Sequence, residues 1–220
     1  MSLIKNIAFF GYTEVTTKDK LYQEAFNVAQ LLASKGYVIV NGGGPGVMAA
    51  STKGAQSVGG ETLAISFYPQ NAPGFEGKYP KNITDKEIKT GNYIERMFKL
   101  LEHGDCYVIF KGGTGTLSEF ATAWCLGRLY FGCHKPFILY GNFWHKIIKV
   151  FKENLFLRGE EEKIFTIVNT PNEVLPAIKK LEKSYHFHLK RMMASKEEGA
   201  FILGYRGPVF KINNKGGNKK

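Results

Sequence analysis

Lys111-Gly112-Gly113-Thr114-Gly115-Thr116-Leu117-Ser118-Glu119 is the stretch that decides how this chain is read. It follows the apolar run 106–110 and opens an apolar-periodic segment ending near residue 129. Strand, glycine-rich turn and helix start therefore stand in that order. Such a turn aims backbone N–H groups and the positive end of a helix dipole at one point, a geometry suited to phosphate. Glycines allow close backbone approach, and Thr116 adds a hydroxyl donor. A second turn of the same kind, Asn41-Gly42-Gly43-Gly44-Pro45-Gly46-Val47-Met48, follows the run 37–40. Two such turns in one small domain point to a nucleotide-sized ligand.

Outward from these turns, strand and helix patterns alternate. Strands are predicted over 4–10, 37–40, 61–67, 106–110, 136–140 and 164–168. Helices are predicted over 19–34, 46–57, 92–103, 143–154 and 171–181, besides the one opened by the second turn. Residues 68–81 read as a surface loop, and 82–90 add a short edge strand. The pattern implies an α/β, Rossmann-like three-layer sandwich, a mostly parallel sheet with helices on both faces. Ligands of such sheets bind at the carboxyl ends of the strands, where both glycine turns lie. Residues 1–183 are expected to form this domain. Residues 184–220 form a basic extension, with a candidate hairpin around Arg206-Gly207-Pro208 and a frayed end.

Composition bounds the function classes. The 44% hydrophobic and 14% aromatic content of these 220 residues suits a folded core, not a disordered chain. No run approaches the ~20 apolar residues of a membrane span, and Met1-Ser2-Leu3-Ile4-Lys5 opens no signal-peptide pattern. Three cysteines without a C-x-x-C pair suggest free thiols in a reducing cytosol, buried as small hydrophobes. Of the net charge of +11, residues 184–220 carry +6, from eight Lys or Arg and two Glu. That tail could recruit nucleic acid, but no nucleic-acid-binding motif accompanies it, and solubility is the plainer reading. His186-x-His188 could share a strand face, yet no carboxylate or cysteine nearby completes a ligand set, so no metal is expected. Trp124 and Trp144 read as packing residues.

The two glycine turns, with Glu95-Arg96 between them, resemble the LOG proteins, often labelled lysine-decarboxylase-like, over roughly residues 4–181. The resemblance implies a cytokinin riboside 5′-monophosphate phosphoribohydrolase, which splits a nucleoside monophosphate into free base and ribose 5-phosphate. It also implies no cofactor, a homodimer or larger oligomer, and Arg96 and Glu119 as the catalytic pair. The same superfamily includes molybdenum-cofactor carriers and nucleotide-sensing or DNA-processing relatives. A non-catalytic nucleotide or molybdenum-cofactor carrier is thus the alternative. Two positions depart from the family pattern: Lys111 replaces a proline, and Met97 replaces the lysine after Glu95-Arg96.

Each candidate has a plainer reading beside it. Thr116-x-x-Glu119 fits a capping box, whereas the resemblance makes Glu119 the carboxylate that opposes positive charge developing on the sugar. Arg96 reads as a solvated charge or an ion-pair partner of Glu95 or Glu119, or as a contact to the departing base. Gly112, Gly113, Gly115 and Thr116 should form the phosphate cradle, with Gly43 and Gly44 approaching from the other turn. Gly11 and Tyr12 end the first strand at the same edge. Lys111 either adds charge near the phosphate or closes a strand at the surface. Cys133-His134-Lys135-Pro136 superficially offers a Schiff-base lysine, but it precedes a strand at the opposite edge, so Lys135 is expected to be an exposed turn residue.

Overall fold

Alternating apolar residues on the strands sort into two cores, one on each face of a single sheet. Ile7, Phe9, Ile39, Val108 and Phe110 belong to one core; Ala8, Phe10, Val40, Tyr107 and Ile109 belong to the other. That is the period-2 alternation of strands covered on both sides. The computed structural model describes residues 4–69, 77–131, 134–158 and 161–195, with side chains to residue 183. In chain order the elements are β1 (Asn6–Phe10), α1 (Lys20–Ala33), β2 (Val38–Asn41), α2 (Val47–Gln56), β3 (Thr62–Phe67) and β4 (Lys86–Thr90). Then come α3 (Tyr93–His103), β5 (Cys106–Ile109), α4 (Thr114–Leu129), β6 (Phe137–Tyr140), α5 (Phe143–Asn154), β7 (Phe165–Val168) and α6 (Pro171–Ser195). A short 3-10 helix, Glu161–Ile164, precedes β7.

The strands lie in the order β4-β3-β2-β1-β5-β6-β7, and every pairing is parallel. The expected α/β, Rossmann-like sandwich is therefore present, with its described sheet wholly parallel. Helices α1, α2 and α6 supply Val28, Leu32, Val47, Val174 and Ile178 to the first core. Helices α3, α4 and α5 supply Leu100, Phe120, Trp124, Trp144 and Ile148 to the second. Phe120 is the hub there, with ring centroids 5.1 Å from Trp124 and 4.9 Å from Trp144. Both indoles also place their N–H: Trp124 donates to the Glu161 carbonyl at 2.9 Å and Trp144 to the Ile109 carbonyl at 3.2 Å. The packing role expected of both tryptophans holds.

Helix α3 is pinned at both ends. Asn92 Oδ1 accepts from the Glu95 N–H at 2.9 Å, and the Glu95 carboxylate accepts from the Gly91 N–H at 2.8 Å, a reciprocal cap. Glu95 is thus spent on starting the helix. At the other end the Lys135 ammonium donates to the carbonyls of Leu101, Glu102 and Gly104 at 2.8, 2.7 and 2.8 Å. Lys135 is therefore not an exposed turn residue: it caps the carbonyl end of α3, at the amino edge of the sheet.

Two further expectations need correction. Helix α6 continues to Ser195, beyond the predicted end at residue 181, and it takes in the segment of His186-x-His188 that was read as a strand. Cys106 is buried, and burial pushes its thiol pKa up, but Cys125 is exposed and not a core residue. Cys133 and the candidate hairpin lie outside the described residues. Among the described residues no helix is long and apolar enough to cross a membrane.

Candidate functional site

The sheet order runs outward from β1 in both directions, so the crevice between the ends of β1 and β5 is the topological switch point. Beyond Phe10 the chain passes through Gly11-Tyr12, stitched between the two glycine turns. The Tyr12 N–H donates to the Lys111 carbonyl at 3.0 Å, and the Val47 N–H that starts α2 donates to the Tyr12 carbonyl at 2.9 Å. Glycine is required at two points of this crossing. A Cβ on Gly11 would lie 2.8 Å from Val47, and Gly46 has φ +62°, with the Tyr12 carbonyl where its Cβ would stand.

A cavity of ≈ 440 Å³ opens at this crossing. One wall is the start of α4. Its N-cap is Gly113, with no side-chain cap hydrogen bond. The Leu117 N–H bonds back to the Gly113 carbonyl at 3.0 Å, so Thr114, Gly115 and Thr116 form the first turn. Gly113, Thr114 and Gly115 are exposed to the cavity, while Thr116 (6% exposed) and Glu119 (8%) are buried in its wall. The capping-box reading of Thr116-x-x-Glu119 is thereby overturned. The helix begins before Thr116, and Glu119 is its sixth residue.

The opposite wall holds Arg96, only 4% exposed. Its Nε donates to the Ile65 carbonyl at 3.2 Å and its Nη2 to the Gly42 carbonyl at 3.1 Å, with Met48 Sδ 3.5 Å from Nη2. Arg96 is thus not a solvated charge. It ties the end of β3 to the turn after β2, and those two bonds fix the plane of its guanidinium. Arg96 and Glu119 are the charged side chains among the described residues of the cavity.

The cavity gathers Gly11, Tyr12, Arg96, Gly113, Gly115, Thr116 and Glu119 from the expected set. The other expected residues face elsewhere. Gly112 is exposed but outside the cavity lining, and a Cβ there would meet the Thr116 side chain and the Gly11 backbone. The Gly43 N–H donates to Asn41 Oδ1 at 2.9 Å, and its carbonyl accepts from the Tyr79 N–H at 3.0 Å. The Gly44 carbonyl accepts from Asn82 Nδ2 at 2.8 Å. These two glycines seat residues 79–82 against a buried network, in which the Asn41 amide donates to Ser51 and Thr52 at 3.1 and 2.8 Å. Gly42 is the glycine of that turn that lines the cavity, and a Cβ there would collide with the Arg96 guanidinium.

Neither departure from the family pattern lies in the cavity lining. Lys111 is exposed, with its ammonium 6.0 Å from the centroid of the Phe143 ring at the start of α5. Met97 is 7% exposed, and its Sδ lies 3.7 Å from the hydroxyls of Ser118 and Thr122 on α4. Sequence reasoning missed Gly42, Met48, Tyr93, Thr114 and Ser118, all of which line the cavity. The Asn92-x-x-Glu95 cap could have found Tyr93, since it sets Tyr93 as the first helical residue. At the rim the Tyr12 hydroxyl donates to Glu14 at 2.6 Å, and that hydrogen bond and the carboxylate's charge push the phenol pKa up.

A larger hollow of ≈ 530 Å³ between α5 and β7 is lined in part by ion-paired surface groups such as Lys152 and Glu162, and contains neither glycine turn. Among the described residues no three His, Cys, Asp or Glu side chains are grouped to hold a metal ion.

The sequence model of the SLOG cluster4 family matches residues 5–174. Over 123 residues the chain is 32% identical to an uncharacterised protein of Archaeoglobus fulgidus, covering 56% of this chain and 77% of that one. It is 30% identical over 125 residues to a cytokinin riboside 5′-monophosphate phosphoribohydrolase of Mycobacterium tuberculosis, covering 56% of this chain and 64% of the relative. The molybdenum cofactor binding protein of Rippkaea orientalis shares the fold with a TM-score of 0.60 and 23% identity, over 81% of this chain and 97% of that one.

Proposed function

The chain belongs to the SLOG cluster4 family, and from that membership and the cavity we propose that it hydrolyses the N-glycosidic bond of a nucleoside 5′-monophosphate. The products are free base and ribose 5-phosphate, and purine monophosphates such as AMP are the default substrates. One observation carries the reading: buried Glu119, buried Arg96 and the start of α4, whose N-cap is a glycine, line a single cavity. The Mycobacterium tuberculosis relative bears the name of that activity at 30% identity.

The chemistry follows from the placement. The phosphate sits on the backbone N–H groups at Gly113–Thr116 and the Thr116 hydroxyl, where the helix dipole favours an anion. The C1′–N bond breaks with its electron pair leaving on the base, and a water oxygen bonds to C1′. The water's proton balances the charge on the departing base. C1′ becomes oxocarbenium-like on the way, so a fixed carboxylate at Glu119 interacts more strongly with the transition state than with the ground state. Glu119 also hydrogen-bonds a ribose hydroxyl. Tied to Ile65 and Gly42, the Arg96 guanidinium presents a preset positive charge to the base or to Glu119.

A carrier that binds a nucleotide or molybdenum cofactor without turning it over is the second reading. Lys111 and Met97 were its sequence support, and both lie outside the cavity lining. Chromatography of a nucleoside 5′-monophosphate panel after incubation with the protein separates the two. Free base and ribose 5-phosphate in equal amounts are expected. Tight binding with no product would replace the hydrolase with the carrier.

We also propose a homodimer or larger homo-oligomer. On α4, Phe120, Ala123, Trp124 and Gly127 face inward, and the large apolar residues left outward are Leu117 (47% exposed) and Leu129 (69%). Ile94 and Phe98, one turn apart on α3, are exposed as well.

A further inference from the structure

Tyr93 lines the cavity but belongs to neither glycine turn nor to the Glu95-Arg96 pair. It is the first residue of α3, held there by the Asn92–Glu95 cap, so its position does not depend on a mobile loop. The phenol hydroxyl reaches across to α4, 3.3 Å from Ser118 Oγ and 3.3 Å from the point that a Cβ on Gly115 would occupy. It therefore lies over the first turn of α4, whose N-cap is Gly113.

The hydrogen bonding there is directional. Ser118 Oγ donates its hydrogen to the Gly115 carbonyl at 2.8 Å, so in the contact with Tyr93 it accepts and the phenol donates. At 3.3 Å that contact is long against the ~2.5–3.0 Å of an ordinary O–H···O bond. A charged phosphate oxygen is a better acceptor than a serine hydroxyl already held in place. The phenol proton can turn from Ser118 to such an oxygen without moving α3.

We propose that the Tyr93 hydroxyl is a direct contact to the ligand's phosphate and makes the cavity select the phosphorylated ligand over its nucleoside. This rests on the nucleotide reading given above. The neutral phenol supplies a charge-assisted hydrogen bond to a cradle whose one cation, among the described residues, is Arg96 on the opposite wall. Ser118 positions the phenol by accepting from it when no phosphate is present.

Calorimetric titration of AMP and of adenosine tests this, with every protein in the Glu119→Gln background so that ligand is not consumed. Tyr93→Phe should weaken AMP about tenfold or more, the loss expected for one hydrogen bond to a charged group. Adenosine should change by less than about twofold, and thermal melting should show the variant folded. Unchanged AMP affinity in Tyr93→Phe, or an equal loss for AMP and adenosine, overturns the phosphate contact while leaving the nucleotide reading intact. Failure of the parent protein to bind any nucleoside 5′-monophosphate removes the nucleotide reading itself, and this contact with it.

Discussion

Arg96 shows how much a single side chain does here beyond carrying charge. Two carbonyls from different strand ends depend on its planar fork, and an ammonium cannot meet both in the same geometry. Arg96→Lys should lower unfolding stability in urea by about 2 kcal/mol or more, since each buried carbonyl left without a donor costs ~1–3 kcal/mol. Met97 gives the opposite lesson. Restoring the lysine expected from the family pattern would put an ammonium between α3 and α4, so Met97→Lys should destabilise by about 1–3 kcal/mol and leave base release no faster. A stable, faster variant would show that position 97 serves the cavity after all. Glu87 supplies a pH signature. Burial alone would raise its pKa, but hydrogen bonds from Lys78 (2.6 Å), Ser66 and Tyr68 (3.0 Å) bring it from 4.5 down to about 2. Its folded pKa is depressed, so its stabilisation is full above pH 4.5 and is lost as pH falls toward 2. The stability gap between the parent protein and Glu87→Gln should therefore shrink across that window. A gap independent of pH would mean that Glu87 is not held ionised.

At the level of elements, the strands and most helices were legible because apolar period and glycine punctuation agree. Where they disagreed, tertiary contacts decided. The start of α4 read as Thr116 because T-x-x-E is a strong local signal. The helix starts earlier because Gly113 is extended and serves as its N-cap, its carbonyl taking the first helical bond from the Leu117 N–H at 3.0 Å. Lys135 was misread for a similar reason: the three carbonyls it caps lie 31 to 34 residues away in sequence. Helix α6 outran its expected end because residues 182–195 contain no glycine or proline to stop it. Of the site, Gly113, Gly115 and Thr116 of the second glycine turn line the cavity as expected, and Gly112 does not. The first turn was not legible, since nothing in Gly42-Gly43-Gly44 tells which glycine meets Arg96 and which two meet residues 79–82. The aromatic hub also acts at this scale. Phe120 is 1% exposed among Trp124, Phe137, Trp144 and Phe151. Phe120→Ala should cost about 3–5 kcal/mol in urea unfolding, and because Glu119 precedes it in α4, base release should fall as well.

Across the whole molecule, the parallel order sends the chain outward from β1 in both directions, and the crevice left at the centre is where Glu119 and Arg96 meet. The outward apolar residues of α3 and α4 give the assembly its own test. Light scattering at micromolar concentration should report a dimer or larger assembly, and a monomer would remove that proposal without touching the cavity. The central claim is that the cavity breaks a glycosidic bond by means of a buried carboxylate. The most direct measurement is release of free base from AMP by the parent protein and by Glu119→Gln, with AMP binding followed in parallel. Base release should fall about a hundredfold or more in the variant, with AMP still bound. Equal release by both proteins, or binding with no release by either, would contradict the claim.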